Sequence, residues 1–521
     1  AWGRAQETYG EDTVHIGAMG VAFIEGAQEH VLASAKHFAA NSIEDTRFDV
    51  NVTIDERSLR EVYLPHFRRA VVDARVASVM SAYNSVNGRF CSENPALLRD
   101  ILKGEWAFDG FVESDWVFGV RSTAAAANAG LDIEMPAGSF FGLLLADAVR
   151  AGEVDESVID EAVGRILRKK VEYAEKLEPV LDPAAVESTE HVALAREVAR
   201  ESIVLLKNDP VGPSGPPLPL ATGGGPIVVV GELAAIANLG DTGSSSVTPS
   251  EAVDPLAGIT ARTDREVIHI PGPTLDATDL ATIAAADAAI VVVGLTTQQE
   301  GEGAISEGGD RETLALPAEQ DALVGDVAAT ATPTIVVLEG GSAIVVRPWI
   351  DDVDALLMAW YPGMQGGHAI ADVLFGDVAP SGRLPISFPR AEADLPPFDH
   401  TSLEVEYGFL HGYRYLDANG SQPELPFGFG LSYTTFGYDG LVVEPSAIDA
   451  SGELRIAIDI TNEGDRDADE VVQLYVRKDV SDYERAPRDL RAFRRVHLAA
   501  GDTKTVELTL PVGELAVYDV S

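Results

Sequence analysis

Short apolar runs alternate with longer amphipathic stretches over the first 175 residues of the chain. The runs 31–38, 77–83, 110–114 and 131–135 have the lengths and bounding residues of strands, and the stretches between them carry apolar residues at helical spacing. Alternation of strand and helix predicts a parallel sheet. Because a closed barrel of this type needs about eight strands, these runs predict either a small open sheet or a barrel without its first half.

Two of the amphipathic stretches carry signals for helix ends. The stretch 53–74 opens with Thr53 and Glu56 at the spacing of a capping box, which predicts its N-terminus. The stretch 117–130 ends at Gly130, which predicts a left-handed C-terminal cap.

The middle of the chain carries unbroken apolar runs at 227–231, 288–295, 334–341 and 355–361. Such runs are typical of parallel strands buried on both faces, so we expect a second α/β domain. From about residue 432 apolar and polar residues alternate, which predicts an antiparallel β-sandwich.

These changes of pattern divide the chain into five parts. We expect a partial barrel, a linker, an α/β sandwich domain, a connector and an incomplete β-sandwich, with the bounds 1–175, 176–222, 223–395, 396–431 and 432–521. The linker ends in a segment rich in proline and glycine, which favours an irregular connection.

Polar side chains follow three successive strands of the first part, where each strand ends. They are Lys36 and His37, Tyr83 and Asn84, and Asp115 and Trp116. The carboxyl ends of parallel strands meet on one face, so a cation, an imidazole, a phenol, a carboxylate and an indole are expected together. This set suits a polyhydroxylated ring, whose C–H patches an aromatic face covers. Asp115 also fits the alternative of a helix N-cap.

Cleavage of a sugar bond usually needs a second carboxylate. The segment TTQQEGEGAISEGGDR (296–311) is an acidic, glycine-rich loop after a buried strand. It offers Glu300, Glu302 and Glu307 in a setting suited to closing over a site, although most acidic loops are simply solvated turns.

The charge of the chain limits the classes of ligand that it is expected to bind. It has 83 acidic and 38 basic residues, a net charge of −45, which repels nucleic acid and anionic membranes and leaves a neutral or cationic ligand. A lone cysteine, Cys91, excludes an internal disulfide and a cysteine-based zinc cluster. No metal or cofactor is indicated, and no apolar run is long enough to span a bilayer. The compartment and the choice between monomer and oligomer stay open.

Seven segments, in order, resemble glycoside hydrolase family 3, the β-glucosidase and β-xylosidase group. They are GRAQETYGED (3–12), AKHFAANSIE (35–44), IDERSLREVYLPHF (54–67), VMSAYNSVNG (79–88), EWAFDGFVESDW (105–116), PFGFGLSYTTF (426–436) and VVQLYV (471–476). The similarity extends over nearly the whole chain. KHF or SDW alone would be a weak motif, but the seven together are specific.

The resemblance implies a role for each matched position. Asp115 of the SDW motif is expected to be the nucleophile that forms a glycosyl-enzyme intermediate. The acid/base is expected at Glu302 if EGEGAI is aligned and at Glu307 if SEGGDR is aligned; we rank Glu302 first, because GEG followed by a short insertion before GGDR resembles the fungal-type loop. The expected sugar-binding residues are Arg4, Lys36, His37, Tyr83 and Trp116.

The implied fold is a partial (β/α)8 TIM-type barrel, an α/β sandwich domain and a C-terminal fibronectin type III-like β-sandwich. The implied activity is that of a retaining, exo-acting β-glucosidase that hydrolyses terminal non-reducing β-D-glucosyl residues by double displacement. The alternatives are a β-xylosidase of the same family and an inactive sugar-binding fragment. KHFAAN differs from the KHFPGHG pattern of the family's N-acetylglucosaminidases, which disfavours amino sugars. A nucleotide-binding protein is disfavoured because GELAAIAN replaces the glycine-rich turn after 227–231.

Both ends of the chain depart from the family pattern. Relatives carry the opening barrel strands, with an aspartate that grips the distal sugar hydroxyls, before the GR motif at residues 3 and 4. We therefore expect a chain that is truncated at both ends, poorly stable and weakly active.

Overall fold

The computed structural model describes residues 2–177, 182–240, 242–303 and 308–520. Within the first part the strands are β1 (Ser34–Phe38), β2 (Asn51–Thr53), β3 (Ser78–Ser81), β4 (Ser85–Val86), β5 (Arg89–Phe90) and β6 (Phe111–Ser114). The α-helices there are α1 (Thr13–Ala27), α2 (Glu56–Ser58), α3 (Pro65–Val72), α4 (Thr123–Ala129), α5 (Leu143–Ala151) and α6 (Glu156–Leu177). Two π-helical segments lie at Leu59–Tyr63 and Ala96–Glu105.

The functional face is built on a parallel sheet with the order β1-β3-β6. Its register pairs Ser34 with Ser78 and Ser78 with Phe111, so the three strands end at the same edge. The predicted strand 131–135 is wrong in extent: it forms only the isolated bridge between Glu113 and Ile133. A side chain explains this, because the Asp132 carboxylate accepts a hydrogen bond from the Val112 amide (2.7 Å).

The helix signals at 53–74 and 117–130 are corrected in part. Thr53 is the last residue of β2 and pairs with Glu406 of the connector. Its backbone is therefore extended, and the predicted capping box does not form. Asp55 caps the helix instead, accepting a hydrogen bond from the Ser58 amide (3.0 Å). The helix predicted over 117–130 begins only at Thr123, and Gly130 ends it in the left-handed conformation as predicted.

The second α/β domain holds a six-stranded sheet with the order β7-β12-β11-β10-β8-β9, in which only β7 runs antiparallel to its neighbour. The strands are β7 (Val204–Asn208), β8 (Ile227–Val230), β9 (Val267–Ile270), β10 (Ala288–Gly294), β11 (Thr334–Glu339) and β12 (Ala355–Trp360). The helices are α7 (Thr189–Ser202), α8 (Pro255–Arg262), α9 (Ala277–Ala284), α10 (Ala318–Ala328) and α11 (Gly366–Leu374). The central strands are buried along their length and pack into an apolar core on each face, as the unbroken apolar runs predict.

The connector returns to the first part before the sandwich begins. Its strand β13 (Glu404–Glu406) pairs with β2, and its helix α12 (Gly412–Asn419) follows. The sandwich has β14 (Phe436–Glu444), β15 (Glu453–Asn462) and β18 (Thr503–Pro511) in one sheet, and β16 (Ala468–Val476) with β17 (Asp489–Leu498) in the other. All of its strand pairs are antiparallel, as predicted. Across the described ranges, every helix is too short or too polar to cross a bilayer.

Candidate active site

Asp115 lies directly after β6, at the edge where the three parallel strands end. Its Oδ1 accepts a hydrogen bond from the Trp116 amide (2.7 Å), and its Oδ2 lies 3.5 Å from Nε2 of His37. Oδ2 is buried and accepts no hydrogen bond within the described residues. Asp115 is not a helix cap, because α4 begins at Thr123 with Ser122 before it.

The surroundings set the protonation of this pair. Burial raises the pKa of Asp115, while the Trp116 amide, the Tyr83 hydroxyl and the charges of Arg4 and Lys36 oppose that rise. Burial, together with those charges and that of Arg47, holds the pKa of His37 well below its usual value. His37 is therefore a neutral imidazole, suited to a hydrogen bond with a sugar hydroxyl.

Aromatic side chains line the same edge. The Tyr83 hydroxyl donates to the Trp116 carbonyl (2.8 Å), and the Tyr83 ring packs edge-on against Phe48 at 4.8 Å between centroids. Trp116 itself is 43% exposed, so its ring is available to a ligand. Lys36 is exposed and lines the cleft. The residues predicted from the strand ends are thus brought together.

Arg4 reaches the cleft from the N-terminal segment. Its guanidinium forms a bidentate pair with Glu7, with Nε and Nη2 at 2.8 and 2.7 Å from the two carboxylate oxygens. Arg4 is 1% exposed, and its Nη1 lies 3.7 Å from Oε1 of Glu302. The bidentate pair fixes the direction of the guanidinium.

Glu302 enters this cleft from the second domain. Its Oε1 accepts a hydrogen bond from Nη1 of Arg47 (3.0 Å), and its Oε2 accepts one from the Ser244 amide (2.5 Å). Burial alone would raise the pKa of Glu302, but Ser244 and the cations Arg4 and Arg47 outweigh it and hold the pKa below its usual value. Glu302 is therefore an ionised carboxylate near neutral pH.

The loop contains two other candidate acids, Glu300 and Glu307. Glu300 is 1% exposed, and its carboxylate accepts hydrogen bonds from the Tyr361 hydroxyl and the Gly341 amide. Glu300 is therefore tied into the second domain. Glu307 lies outside the described residues.

Arg47 and Ser244 are site residues that the sequence predictions missed. Arg47 joins Glu302 to Glu44, whose Oε2 it contacts at 2.7 Å, and its guanidinium lies 5.3 Å from the centroid of the Tyr83 ring. Trp2 donates to the other oxygen of Glu44 at 3.1 Å. The available signal was an arginine within the acidic segment IEDTRFD (43–49), directly after a matched motif.

One group in the described part of the chain has the donor types of a metal site. The ligand atoms of Asp45, Asp310 and His400 lie within 4.8 Å of one another. The Asp310 carboxylate, however, accepts hydrogen bonds from the amides of Gly3 (2.9 Å), Glu44 (2.6 Å) and Asp45 (3.0 Å). The group thus links the N-terminal segment, the segment after β1 and the loop of the second domain.

Comparison with known proteins identifies the family. The model described as the glycosyl hydrolase family 3 N-terminal domain matches residues 1–169, the family's C-terminal domain matches 203–433, and a fibronectin type III-like domain matches 470–521. The chain is 37% identical to thermostable β-glucosidase B of Acetivibrio thermocellus over 535 aligned residues, which cover 99% of this chain and 69% of that protein. The chain belongs to glycoside hydrolase family 3.

Two further comparisons agree with this membership. An exo-α-(1→6)-L-arabinopyranosidase of Bifidobacterium breve is 35% identical, over 98% of this chain and 68% of that protein. The crystal structure of a family 3 β-glucosidase from Bifidobacterium adolescentis superposes with a TM-score of 0.90 at 34% identity and covers all of this chain and 76% of its own. The chain is a glycoside hydrolase, and its fold is the family's TIM-barrel-like domain, α/β sandwich domain and fibronectin type III-like domain.

Proposed function

We propose that this family 3 glycoside hydrolase is a retaining, exo-acting β-glucosidase in which Asp115 is the nucleophile and Glu302 the acid/base. The observation that carries the proposal is that Arg4 is close to both carboxylates: its Nη1 lies 3.7 Å from Oε1 of Glu302, and its charge opposes the effect of burial on the pKa of Asp115 and of Glu302. Double displacement requires two carboxyl groups that flank the glycosidic bond, one as nucleophile and one as acid/base.

In the first step Asp115 attacks the anomeric carbon while Glu302 gives its proton to the leaving oxygen. In the second step Glu302 takes a proton from water, which attacks the same carbon and releases the sugar. Arg4, Lys36, His37 and Tyr83 bind the hydroxyls of the bound ring, and Trp116 covers its apolar side. Arg47 joins this set because it lies between Glu302 and the Tyr83 ring.

The protonation of Glu302 must change when substrate binds. In the substrate-free cleft its pKa is held down by Ser244, Arg4 and Arg47. Sugar hydroxyl oxygens compete for the same guanidinium donors, and displacement of water lowers the local dielectric. Both effects raise the pKa of Glu302 toward the range of a general acid.

The proposal is tested with aryl glycosides and a product assay. Turnover on 4-nitrophenyl β-D-glucoside is expected to exceed turnover on the β-D-xyloside and the α-L-arabinopyranoside. The arabinopyranoside is included because the Bifidobacterium breve relative carries that name. Proton NMR should show the β-anomer of the released sugar first. If the α-anomer is the first product, double displacement is excluded. If either pentoside is turned over faster than the glucoside, the preferred substrate is that pentoside and not a β-glucoside.

A further inference from the structure

The loop that carries Glu302 is closed at its base by a buried ion pair. It follows β10, and the paired residues lie on either side of Glu302, at Glu300 and Arg311. Glu300 is 1% and Arg311 3% exposed, and Oε2 of Glu300 lies 3.7 Å from Nη1 of Arg311. The two flanks of the loop thus meet inside the second domain.

Both flanks are held by the turn that follows β11, and Glu300 is also held by Tyr361, which directly follows β12. Glu300 Oε1 accepts hydrogen bonds from the Tyr361 hydroxyl (2.7 Å) and the Gly341 amide (2.5 Å). Arg311 Nη1 donates to the Ser342 hydroxyl and to the Ala343 carbonyl, each at 2.9 Å. Charge-assisted hydrogen bonds of this kind are stronger than neutral ones, so the base of the loop has little freedom.

The turn has no spare room. A Cβ on Gly341 would lie 2.5 Å from Cβ of Gln6 and 2.9 Å from Oε1 of Glu300.

Tyr361 follows Trp360, the last residue of β12, whose φ of +60° lies in the left-handed region that non-glycine residues rarely adopt. Uncommon backbone of this kind persists where the surroundings over-determine it, and it is concentrated at functional sites.

The ion pair lies beside the cleft. Tyr361 and Gly341 contribute to the cleft wall, and the Glu300 carboxylate is hydrogen-bonded to both. Glu302 is only two residues from Glu300 along the chain. A change in the position of Glu300 is therefore expected to change the position of Glu302, the proposed acid/base.

We propose that Tyr361, Glu300 and Arg311 are positioning residues that fix the acid/base over the scissile bond. The inference rests on the proposed role of Glu302. Misplacement of a catalytic group by about 1 Å can cost roughly a hundredfold in rate, so loss of one contact at the base should be measurable.

The test uses Tyr361→Phe, which removes only the hydroxyl that donates to Glu300. Rates are measured on aryl β-glucosides whose phenols span a wide range of pKa. A misplaced acid matters for poor leaving groups and hardly at all for 2,4-dinitrophenolate, which leaves without a proton. We expect kcat/KM to fall about tenfold or more on the phenyl glucoside and by less than about threefold on the dinitrophenyl glucoside. Glu300→Gln keeps the acceptor but loses the charge opposite Arg311, so the same pattern is expected.

The matched control is Tyr433→Phe. The Tyr433 hydroxyl donates to the Val373 carbonyl (2.8 Å), and its ring packs against the core cluster that lies away from the loop. Like Tyr361→Phe, this variant removes one tyrosine hydroxyl that donates a hydrogen bond within the second domain. Unlike Tyr361→Phe, it leaves the contacts at the base of the loop unchanged. Its leaving-group dependence should equal that of the parent.

A second readout is independent of turnover. In hydrogen–deuterium exchange, peptides covering 296–311 should exchange faster in Tyr361→Phe than in the parent or in Tyr433→Phe. An equal loss of rate on every leaving group, or unchanged exchange, would overturn the inference. If instead Glu302→Ala itself shows no dependence on the leaving group, the assignment of Glu302 fails, which is a separate result.

Discussion

At the scale of single residues, the two proposed catalytic carboxylates differ in what surrounds them. Burial dominates around Asp115 and raises its pKa, whereas cations and the Ser244 amide dominate around Glu302 and lower its pKa. The same cations, Arg4 and Arg47, are among the groups that we propose to bind the sugar. A bound sugar would therefore change the contacts of the charged groups that set the pKa values of the two carboxylates.

Replacement of Asp115 by alanine should lower kcat by several orders of magnitude, because the covalent route is lost. An aryl 2-deoxy-2-fluoro-β-glucoside should label the parent chain, and peptide mapping should place the sugar on Asp115. The label is a sharper measurement than the rate. Its appearance on a different residue would remove Asp115 from the role of nucleophile.

Replacement of Glu302 by alanine should spare the first step on substrates with good leaving groups, and azide should restore turnover. The matched variant is Glu307→Ala, since both glutamates belong to one loop. If Glu307→Ala shows azide rescue and Glu302→Ala behaves like the parent, the acid/base is Glu307.

The strand ends are the part of the site that sequence predicts well. Asp115 and Tyr83 follow strands and His37 lies in strand β1, next to its final residue, and parallel strands end on one face by geometry alone. Arg47 and Ser244 lie in loops: the contact of Arg47 with Glu302 depends on the packing of two domains, and that of Ser244 joins two loops of the second domain. Periodicity carries no information about such packing, which explains why these residues were missed.

At the scale of the elements, sequence predicts buried strands better than element ends. The four unbroken apolar runs of the second domain all form strands of one sheet. The prediction of a linker over 176–222 is wrong in part, because β7 (Val204–Asn208) pairs with β12 in that sheet. The run 131–135 fails because the Asp132 side chain takes a backbone donor of β6, which no propensity reveals. The capping box at Thr53 fails because that residue pairs in a sheet with β13, far along the sequence.

Strand β11 ends in a carboxyl group whose titration is measurable. Glu339 is fully buried, and burial raises its pKa from 4.5 to about 8, against a small opposing contribution from Asn238. A raised carboxyl pKa means that the folded chain binds the proton more tightly than the unfolded chain. This contribution to stability is present below pH 4.5 and is lost as pH rises toward 8.

Glu339→Gln should remove this pH dependence, because the amide has the shape of the protonated acid and does not titrate. The melting temperature of the variant should match that of the parent at pH 5 and exceed it by roughly 5 °C at pH 9. Thermal unfolding followed by circular dichroism at both values measures the difference. The exposed Glu444→Gln is the control, and equal pH profiles for Glu339→Gln and the parent would contradict a neutral buried acid.

At the scale of the whole molecule, one buried cluster joins three parts of the chain. Asp12 caps α1, and its Oδ2 accepts hydrogen bonds from Arg414 Nη2 (2.7 Å) and from the Tyr413 hydroxyl (2.9 Å). Arg414 also donates to Asp489 of the sandwich at 2.7 Å. Asp12 is eight residues beyond Arg4, so this cluster also restrains the segment that brings Arg4 to the cleft.

Arg414→Met should uncouple the parts that this cluster joins. The substitution leaves the buried Asp12 without its cation, and loss of one partner of a buried ion pair costs about 3–5 kcal/mol. Calorimetry should show the sandwich melting at a lower temperature, apart from the α/β domain. KM for the aryl glucoside should rise as Arg4 loses its fixed position. Arg455→Met is the control, since its pair with Glu507 is exposed and such pairs contribute about 1 kcal/mol or less. A melting curve of Arg414→Met that coincides with that of the control would show that the sandwich is held by its apolar contacts alone.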